Sequence, residues 1–257
     1  NALVGYGISM VTTYYLRRFM IYFKTLITQL EKNNIKISIE VFDWFKGTFD
    51  ILDNNKSCLN QKLFNSKDTM DLVRDLGSVF SIYRKKIYKD GFSARKKINK
   101  NELIDFIDLS IKYFDHTISS NRGKNNLFHS YNILNFSNNN NKVEIKNLYE
   151  MLEGQVAVLS SGFLNSKDSI KLLKSLYESE IYRSDQKSFM LYPIKKIIPF
   201  MEKNIIPENL ILKNEIINKI LKFDKQNIIS KDVNGCYRFN PIFKNHSDLR
   251  LALNNYK

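Results

Sequence analysis

The side chains best suited to chemistry concentrate in one stretch of the sequence, FDHTISSNRGKNNLFHSYN, residues 114–132. Two of the three histidines of the chain lie there. Planar polar groups can make paired hydrogen bonds with hydroxyls, and aromatic rings can cover the apolar side of a sugar ring. The stretch therefore predicts a carbohydrate-binding site. Its candidate substrate-binding residues are Asp115, His116, Arg122, His129, Tyr131 and Asn132.

Other chemistries fit these residues less well. His116 and His129 are not spaced as two ligands on one helix face, and no third ligand accompanies them, so we expect no metal. No serine or cysteine stands in a nucleophile elbow. The chain has no glycine-rich phosphate loop, and we expect no cofactor. For each histidine, a structural hydrogen-bonding role is the alternative interpretation.

A second candidate region is NLYEMLEGQVAVLSSGFL, residues 147–164, where polar and small residues interrupt an apolar run. Small residues let neighbouring backbones approach closely, so we expect residues 149–162 to form a helix buried on all sides, in an inner layer of helices. Glu153 and Gln155 then need polar partners, because an unpaired buried carboxylate is costly. Either they face a polar pocket, or neighbouring loops satisfy them.

The pocket interpretation places Glu153 in a cleft shared with His129 and Arg122. A carboxylate there could hold sugar hydroxyls or orient the arginine. The structural alternative is a carboxylate satisfied by backbone N–H groups or by an arginine. No residue of the chain carries the signature of a catalytic acid, so the catalytic residues are unknown.

Apolar residues at helical spacing dominate the chain and predict a mainly α fold of antiparallel helical hairpins. Two copies of the sequence NSKD, at 65–68 and 165–168, offer N-terminal caps. Asn234–Gly235 predicts a type I′ turn in a small β-hairpin. The expected helices span residues 3–30, 39–52, 100–119, 149–162, 213–223 and 247–254, and two more follow the NSKD caps.

These elements suggest a helical domain over residues 1–226, with the hairpin and terminal helix of residues 227–257 packed on it. A buried helix followed by a one-sided helix is typical of an (α/α) barrel or toroid. The chain begins at Asn1 and runs directly into an apolar segment, so we expect an N-terminal part of the full protein to be missing. That segment is shorter than the ~20 residues of a membrane span, and we expect no membrane association.

The charge and the cysteines of the chain indicate which partners and which cellular compartment to expect. The formal net charge is +14, but lysine is spread along the chain and we see no stacking aromatics among basic residues. We therefore expect a solvated basic surface and no specific nucleic-acid site. Cys58 and Cys236 have no metal-ligand spacing and are expected to be reduced thiols of a cytoplasmic protein. The oligomeric state stays open.

Several phrases together resemble a known group of proteins. NALVGYGISMVTTYYLRRF, LFHSYNIL, LYEMLEGQVAVLSSG, YRSDQKSFMLYP and DVNGCYRFN are similar to the C-terminal part of large bacterial cellobiose-phosphorylase-like proteins, many of them uncharacterised. The resemblance implies an (α/α) toroid, a carbohydrate substrate and inverting chemistry. In that chemistry a carboxylic acid protonates the glycosidic oxygen while phosphate attacks the anomeric carbon. The DGDWND-type acidic stretch of characterised phosphorylases is absent here, so no catalytic acid can be transferred to this chain.

Three interpretations compete. The first is the C-terminal portion of a carbohydrate-active enzyme that contributes to a sugar-binding cleft. The second is a non-catalytic helical scaffold or binding module whose basic surface meets an acidic partner. The third is a helical nucleic-acid-binding protein, which would need lysines such as Lys85, Lys86, Lys96 and Lys97 to form one stripe.

Overall fold

The chain divides into two compact units, Asn1–Ile194 and Lys195–Lys257. This boundary lies earlier in the chain than the one expected at residue 226. A computed structural model describes residues 7–136, 142–194, 197–199, 202–223 and 227–254.

Helices make up most of the first unit. They are α1 (Met10–Gln29), α2 (Ile39–Asn54), α3 (Ser66–Asp90), α4 (Lys100–Ser120), α5 (Leu152–Ser160) and α6 (Ser166–Tyr177), with a 3₁₀ turn at Lys56–Asn60 after α2. The mainly α prediction is confirmed. The closed (α/α) barrel stays a prediction.

Side-chain caps fix where most of these helices begin. Asn65 accepts hydrogen bonds from the backbone N–H groups of Lys67 and Asp68, and Asn165 accepts one from that of Asp168. Both NSKD copies therefore start helices as predicted, because a cap side chain satisfies N–H groups that lack a partner within the helix.

The first predicted helix begins later than expected. Ser9 caps α1, and Gly7–Ser9 forms a strand instead of helix. Residues 3–6, where the helix was expected to start, lie outside the described residues. The prediction missed the strand because its partner lies more than a hundred residues away in the sequence.

Short antiparallel sheets are more numerous than expected. The strands of the first unit are β1 (Gly7–Ser9), β2 (Asn34–Ser38), β3 (Arg95–Asn99), β4 (Tyr131–Phe136), β5 (Val143–Asn147), β6 (Tyr182–Arg183) and β7 (Ser188–Phe189). They form the sheets β1–β4–β5, β2–β3 and β6–β7. The expectation of a single small hairpin was wrong.

Two apolar clusters support the helices of the first unit. α1 packs on α4 and α5, and the cluster beneath it includes Tyr14, Ile118, Phe128 and Leu172. α2 packs on α3 and α4 around Leu52, Leu72, Leu109 and Tyr113.

The buried face of α3 differs from the predicted one. The sequence suggested that Val73 and Phe80 face the core, but both are exposed, and Leu72 is buried instead. The predicted face is thus only partly right, since Tyr83 of that face stacks on Trp44 of α2. Apolar residues stand on both sides of this helix, so periodicity alone did not distinguish the two faces.

The second unit contains α7 (Glu208–Lys213), α8 (Glu215–Phe223), β8 (Ile229–Lys231), β9 (Tyr237–Phe239) and α9 (His246–Asn254). Ile206, Ile211, Ile220, Ile228 and Ile229 form its core. The single helix expected over residues 213–223 is interrupted at Asn214 and continues as α8, with α7 before it.

The C-terminal hairpin is present, but its turn is not type I′. Of the two central residues, only Gly235 adopts a positive φ, of 82°. Asp232 organises the turn instead, because its carboxylate accepts the backbone N–H groups of Asn234 and Cys236, both at 2.9 Å. Arg238 completes this arrangement with a 2.7 Å hydrogen bond to the same carboxylate.

The structure also bears on cysteine usage and membrane insertion. Cys58 and Cys236 are both free thiols. Among the helices of the described ranges, none is long and apolar enough to cross a bilayer.

Candidate functional site

Gln155 acts as a clamp between α5 and the chain segment that enters β4. Its side chain is completely buried. The amide nitrogen donates to the carbonyl oxygens of Phe128 (2.7 Å) and Met151 (2.9 Å). The amide oxygen accepts the backbone N–H of Phe128 at 2.9 Å. With this hydrogen bonding Gln155 holds the backbone in place and has no access to a ligand.

The small residue that precedes Gln155, Gly154, is required by close packing. A Cβ atom at this position would overlap Ser130 Oγ and lie 3.2 Å from both the Phe128 carbonyl oxygen and Ser130 Cα. The glycine therefore lets α5 approach the start of β4. The expectation of a helix buried on all sides over residues 149–162 was wrong, since α5 spans nine residues and Val156 is 52% exposed.

Glu153 makes a side-chain hydrogen bond with Tyr131. Burial raises the pKa of Tyr131, and the contact with Glu153 raises it further. The Glu153 side chain is half-buried. The two residues therefore form one polar pair at the surface between α5 and β4.

His129 belongs to a buried hydrogen-bond network around Tyr14. The Tyr14 hydroxyl donates to the His129 carbonyl at 3.0 Å, and the amide of Asn121 donates to both groups at 2.6 Å. Asn132 in turn donates to the Asn121 side-chain oxygen at 2.9 Å. Burial raises the pKa of Tyr14, which keeps its hydroxyl protonated. The His129 ring itself bonds to the Leu148 carbonyl at 2.6 Å.

Arg122 faces α6 instead of Glu153. Its guanidinium lies 3.6 Å from the Asp168 carboxylate and 5.7 Å from the centroid of the Phe128 ring. Its Nε atom is buried without a hydrogen-bond partner within the described part of the chain. Arg122 thus joins the loop after α4 to the first turn of α6.

The two remaining candidates lie on α4 and point to other neighbours. His116 stacks on Phe64, with ring centroids 4.4 Å apart, and bonds to the Gln61 carbonyl at 2.7 Å. Asp115 pairs with the buried Arg17 of α1. Both side chains connect elements of the fold.

The structure therefore brings together two groups of the predicted residues. Glu153 and Tyr131 meet at the surface, His129 and Asn132 share the buried network around Tyr14, and Gln155 binds the backbone of Phe128 beside it. Arg122, His116 and Asp115 have separate partners. No hydrogen bond or ion pair among the described residues joins Glu153 to His129 or Arg122.

A cavity of about 460 Å³ lies close by, and sequence reasoning missed it. Its lining residues are Asn125, Asn126, Leu127, Glu150, Ser175, Glu178, Ser179, Glu180, Ile181 and Pro193. Three of these are carboxylates and two are carboxamides. Asn125 donates to Glu150 across the wall at 3.3 Å.

One sequence signal could have pointed to this cavity. Glu178 and Glu180 follow directly after α6, where the negative end of the helix dipole disfavours carboxylates. Acidic residues at an electrostatically unfavourable position are candidates for function. Within the described residues, no group of three or more histidine, cysteine or acidic side chains is arranged to hold a metal ion.

Comparison with known proteins bears on the second unit. Residues 197–257 match a family described as GH149 phosphorylase insertion domain 2. The chain resembles part of the large GH149-type glycoside phosphorylases. The matched region lies within the second unit, whereas the candidate residues and the cavity lie in the first. No curated protein sequence matches the chain.

Proposed function

We propose that this chain is part of a cytoplasmic glycoside-phosphorylase-type enzyme and that its first unit contributes to a sugar-binding cleft. The match of residues 197–257 to a phosphorylase insertion domain supports the enzyme part of this proposal, and the cavity in the first unit supports the cleft. An insertion domain implies a host enzyme, so we infer that the catalytic acid lies in a part of the polypeptide outside this chain. The (α/α) toroid expected from the resemblance belongs to the same proposal.

The cavity beside Asn125 is the place in the first unit best suited to a sugar. Carboxylates and carboxamides make directional hydrogen bonds with vicinal hydroxyls, and Leu127 and Ile181 provide apolar wall. The contact between Asn125 and Glu150 orients both groups before a ligand arrives. The candidates first chosen from the sequence, Gln155 and His129 among them, support the backbone behind this wall.

Calorimetric titration of the chain with neutral oligosaccharides tests the cleft. Glu150→Gln and Glu178→Gln keep the side-chain volumes but remove charged acceptors, so each is expected to weaken binding about tenfold, as for loss of one charge-assisted hydrogen bond. Glu153→Gln is the matched control, because Glu153 does not line the cavity. Unchanged affinity in both cavity variants would refute the cleft.

The enzymatic part of the proposal needs a separate measurement. A longer polypeptide that contains this chain should release a sugar 1-phosphate from an oligosaccharide and inorganic phosphate. Without such phosphorolysis, while the fold is intact, the phosphorylase assignment fails even if the chain alone binds sugar.

A non-catalytic scaffold is the second candidate function. One observation favours it: Gln155, His129, His116 and Asp115 each bind framework groups. This interpretation predicts that cavity variants of the longer enzyme keep full phosphorolysis activity. Variants of the framework residues would then lower only its thermal stability.

A further inference from the structure

The strongest concentration of positive charge in the first unit lies in one continuous stretch, residues 84–97, here called the basic segment. It comprises the last turns of α3, a turn at Gly91 and the first three residues of β3. Its cations are Arg84, Lys85, Lys86, Lys89, Arg95, Lys96 and Lys97, against the single anion Asp90.

Only part of this charge is neutralised within the fold. Lys86 lies 3.7 Å from Asp43, and Lys96 lies 4.1 Å from the centroid of the Phe42 ring. Apart from Lys86, the cations of the basic segment have no acidic side chain within 4.0 Å among the residues that the structure describes. These unneutralised cations are Arg84, Lys85, Lys89, Arg95, Lys96 and Lys97.

The β2–β3 sheet brings a further cation next to the basic segment. Its register places Lys36 directly opposite Lys97, and Ser38 opposite Arg95. Because Ile98 is buried, the alternation of side chains along β3 places Lys97 and Arg95 on the opposite, solvent-facing side. Like charges directly opposite each other on a sheet destabilise it. An arrangement that weakens the fold in this way favours a role in binding.

Two aromatic residues of the basic segment, Tyr88 and Phe92, stand between its cations in the sequence. Tyr88 is 82% exposed and Phe92 is 62% exposed. Burying either ring would be favourable by itself. The basic segment therefore presents two open aromatic faces among unneutralised cations.

Buried contacts fix the turn that carries Phe92. Glu40 of α2 is 2% exposed and accepts hydrogen bonds from both the backbone N–H and the hydroxyl of Ser93. The backbone N–H of Ile39 donates to the Ala94 carbonyl at 3.0 Å. These bonds lower the pKa of Glu40 and keep it ionised. The turn is thus held in position before any partner binds.

We propose that the basic segment binds single-stranded nucleic acid without sequence preference. The unneutralised cations contact phosphates, while Tyr88 and Phe92 stack on bases. Single-strand binding without sequence preference combines positive charge for the phosphates with aromatic rings on which bases stack. A neutral oligosaccharide has no negative charge to pair with the cations, and an acidic protein surface has no bases to stack on the exposed rings. The proposal is independent of the phosphorylase assignment.

Fluorescence anisotropy of the chain with a labelled oligothymidylate of about 15 nucleotides tests this surface, a length that suits one compact single-strand site. Tyr88→Ala and Phe92→Ala keep the net charge, yet each is expected to weaken binding about tenfold. Tyr22→Ala is the matched control, because Tyr22 is a 60% exposed aromatic on α1. Equal affinity of all three variants and the wild type would overturn the proposal.

A charge-matched pair provides the second arm. Lys97→Glu and Lys167→Glu change the net charge equally, and both positions are exposed. Only Lys97→Glu should weaken oligothymidylate binding strongly, and it should also raise the melting temperature because it converts a like-charge pair with Lys36 into an opposite-charge pair. Equal loss in both variants would show general electrostatic attraction and refute a localised site.

Salt dependence and competition with duplex DNA or dextran sulfate identify the class of partner. Binding should fall steeply between 50 and 200 mM salt, as expected for ~3 or more phosphate contacts, and single strands should compete better than duplex. If duplex competes equally well, the proposal is wrong. If dextran sulfate binds with the same dependence on Tyr88 and Phe92 while oligothymidylate does not, the surface is one for anionic polysaccharides, and the proposal is again overturned.

Discussion

Replacing Gln155 by leucine gives the sharpest test of the clamp between α5 and β4. Leucine has a similar volume but can neither donate nor accept. The Phe128 N–H and carbonyl would both be left buried without the bonds that Gln155 makes at 2.9 and 2.7 Å. Met151 would keep a contact from Ser130 at 3.4 Å. The main cost therefore comes from two unsatisfied backbone groups.

Each such group costs about 1–3 kcal/mol, and the added apolar burial offsets about 1 kcal/mol, so we expect a loss of about 3 kcal/mol in the free energy of unfolding. For a unit of this size that corresponds to a fall of roughly 6–12 °C in melting temperature. Urea unfolding followed by circular dichroism measures the loss. Glu153→Gln, at a half-buried neighbour, is the control and should change stability by less than about 1 kcal/mol.

A second substitution separates hydrogen bonding from packing. Gln155→Glu keeps the shape and the acceptor for the Phe128 N–H, but an ionised carboxylate cannot donate to the Phe128 carbonyl. Burial would raise the pKa of the new carboxyl, so its protonated form contributes stability at low pH that is lost as the pH rises through the folded-state pKa. A stability loss below 1 kcal/mol for Gln155→Leu, or a pH-independent loss for Gln155→Glu, would refute the reasoning.

Three further predictions concern other parts of the fold. Gly154→Ala should cost about 1–3 kcal/mol from overpacking against Ser130, and adding Ser130→Gly should recover part of that loss in urea unfolding. Asp115→Ala should lower the free energy of unfolding by about 2 kcal/mol, because it leaves the buried Arg17 charge without its carboxylate. The loss is smaller than for a fully buried pair, because the Asp115 carboxylate is partly exposed. Equal stability of the variant and the wild type in thermal unfolding would contradict this. The hydrogen bond with Arg238 is the main cause that lowers the pKa of Asp232. The Asp232 carboxylate therefore stabilises the hairpin above about pH 4, and this contribution is lost as the pH falls through the folded-state pKa. Hydrogen exchange of the hairpin amides as a function of pH should show that loss, and Asp232→Asn should remove the pH dependence.

The sequence predicted the starts of the two helices after the NSKD copies, because capping is local. Asn65 and Asn165 satisfy N–H groups within three residues of themselves, so their role is visible in a short window. Strand β1 was missed for the opposite reason. Its three residues are a strand only because they pair with Tyr131–Ile133, and the sequence near Gly7 gives no indication of that partner.

The candidate site shows the same division. Residue types correctly indicated that Gln155 and His129 make hydrogen bonds, but not that their partners are the backbone groups of Phe128 and Leu148. A glutamine bound to the backbone and one bound to a sugar look alike in a sequence. The cavity was missed because its wall joins loops that are distant along the chain, such as those holding Asn125 and Glu178.

The bond from the Tyr14 hydroxyl to the His129 carbonyl has a consequence for biosynthesis. It joins residues 115 positions apart in the sequence, and β1 can pair only after β4 of the same region has been synthesised. At ~5–20 residues per second a ribosome needs roughly 6–23 seconds to synthesise these residues, plus the time for the exit tunnel to clear. During this interval α1 leaves the ribosome with Tyr14 and Met10 uncovered. We expect the nascent chain to be a substrate for ribosome-associated chaperones until β4 emerges.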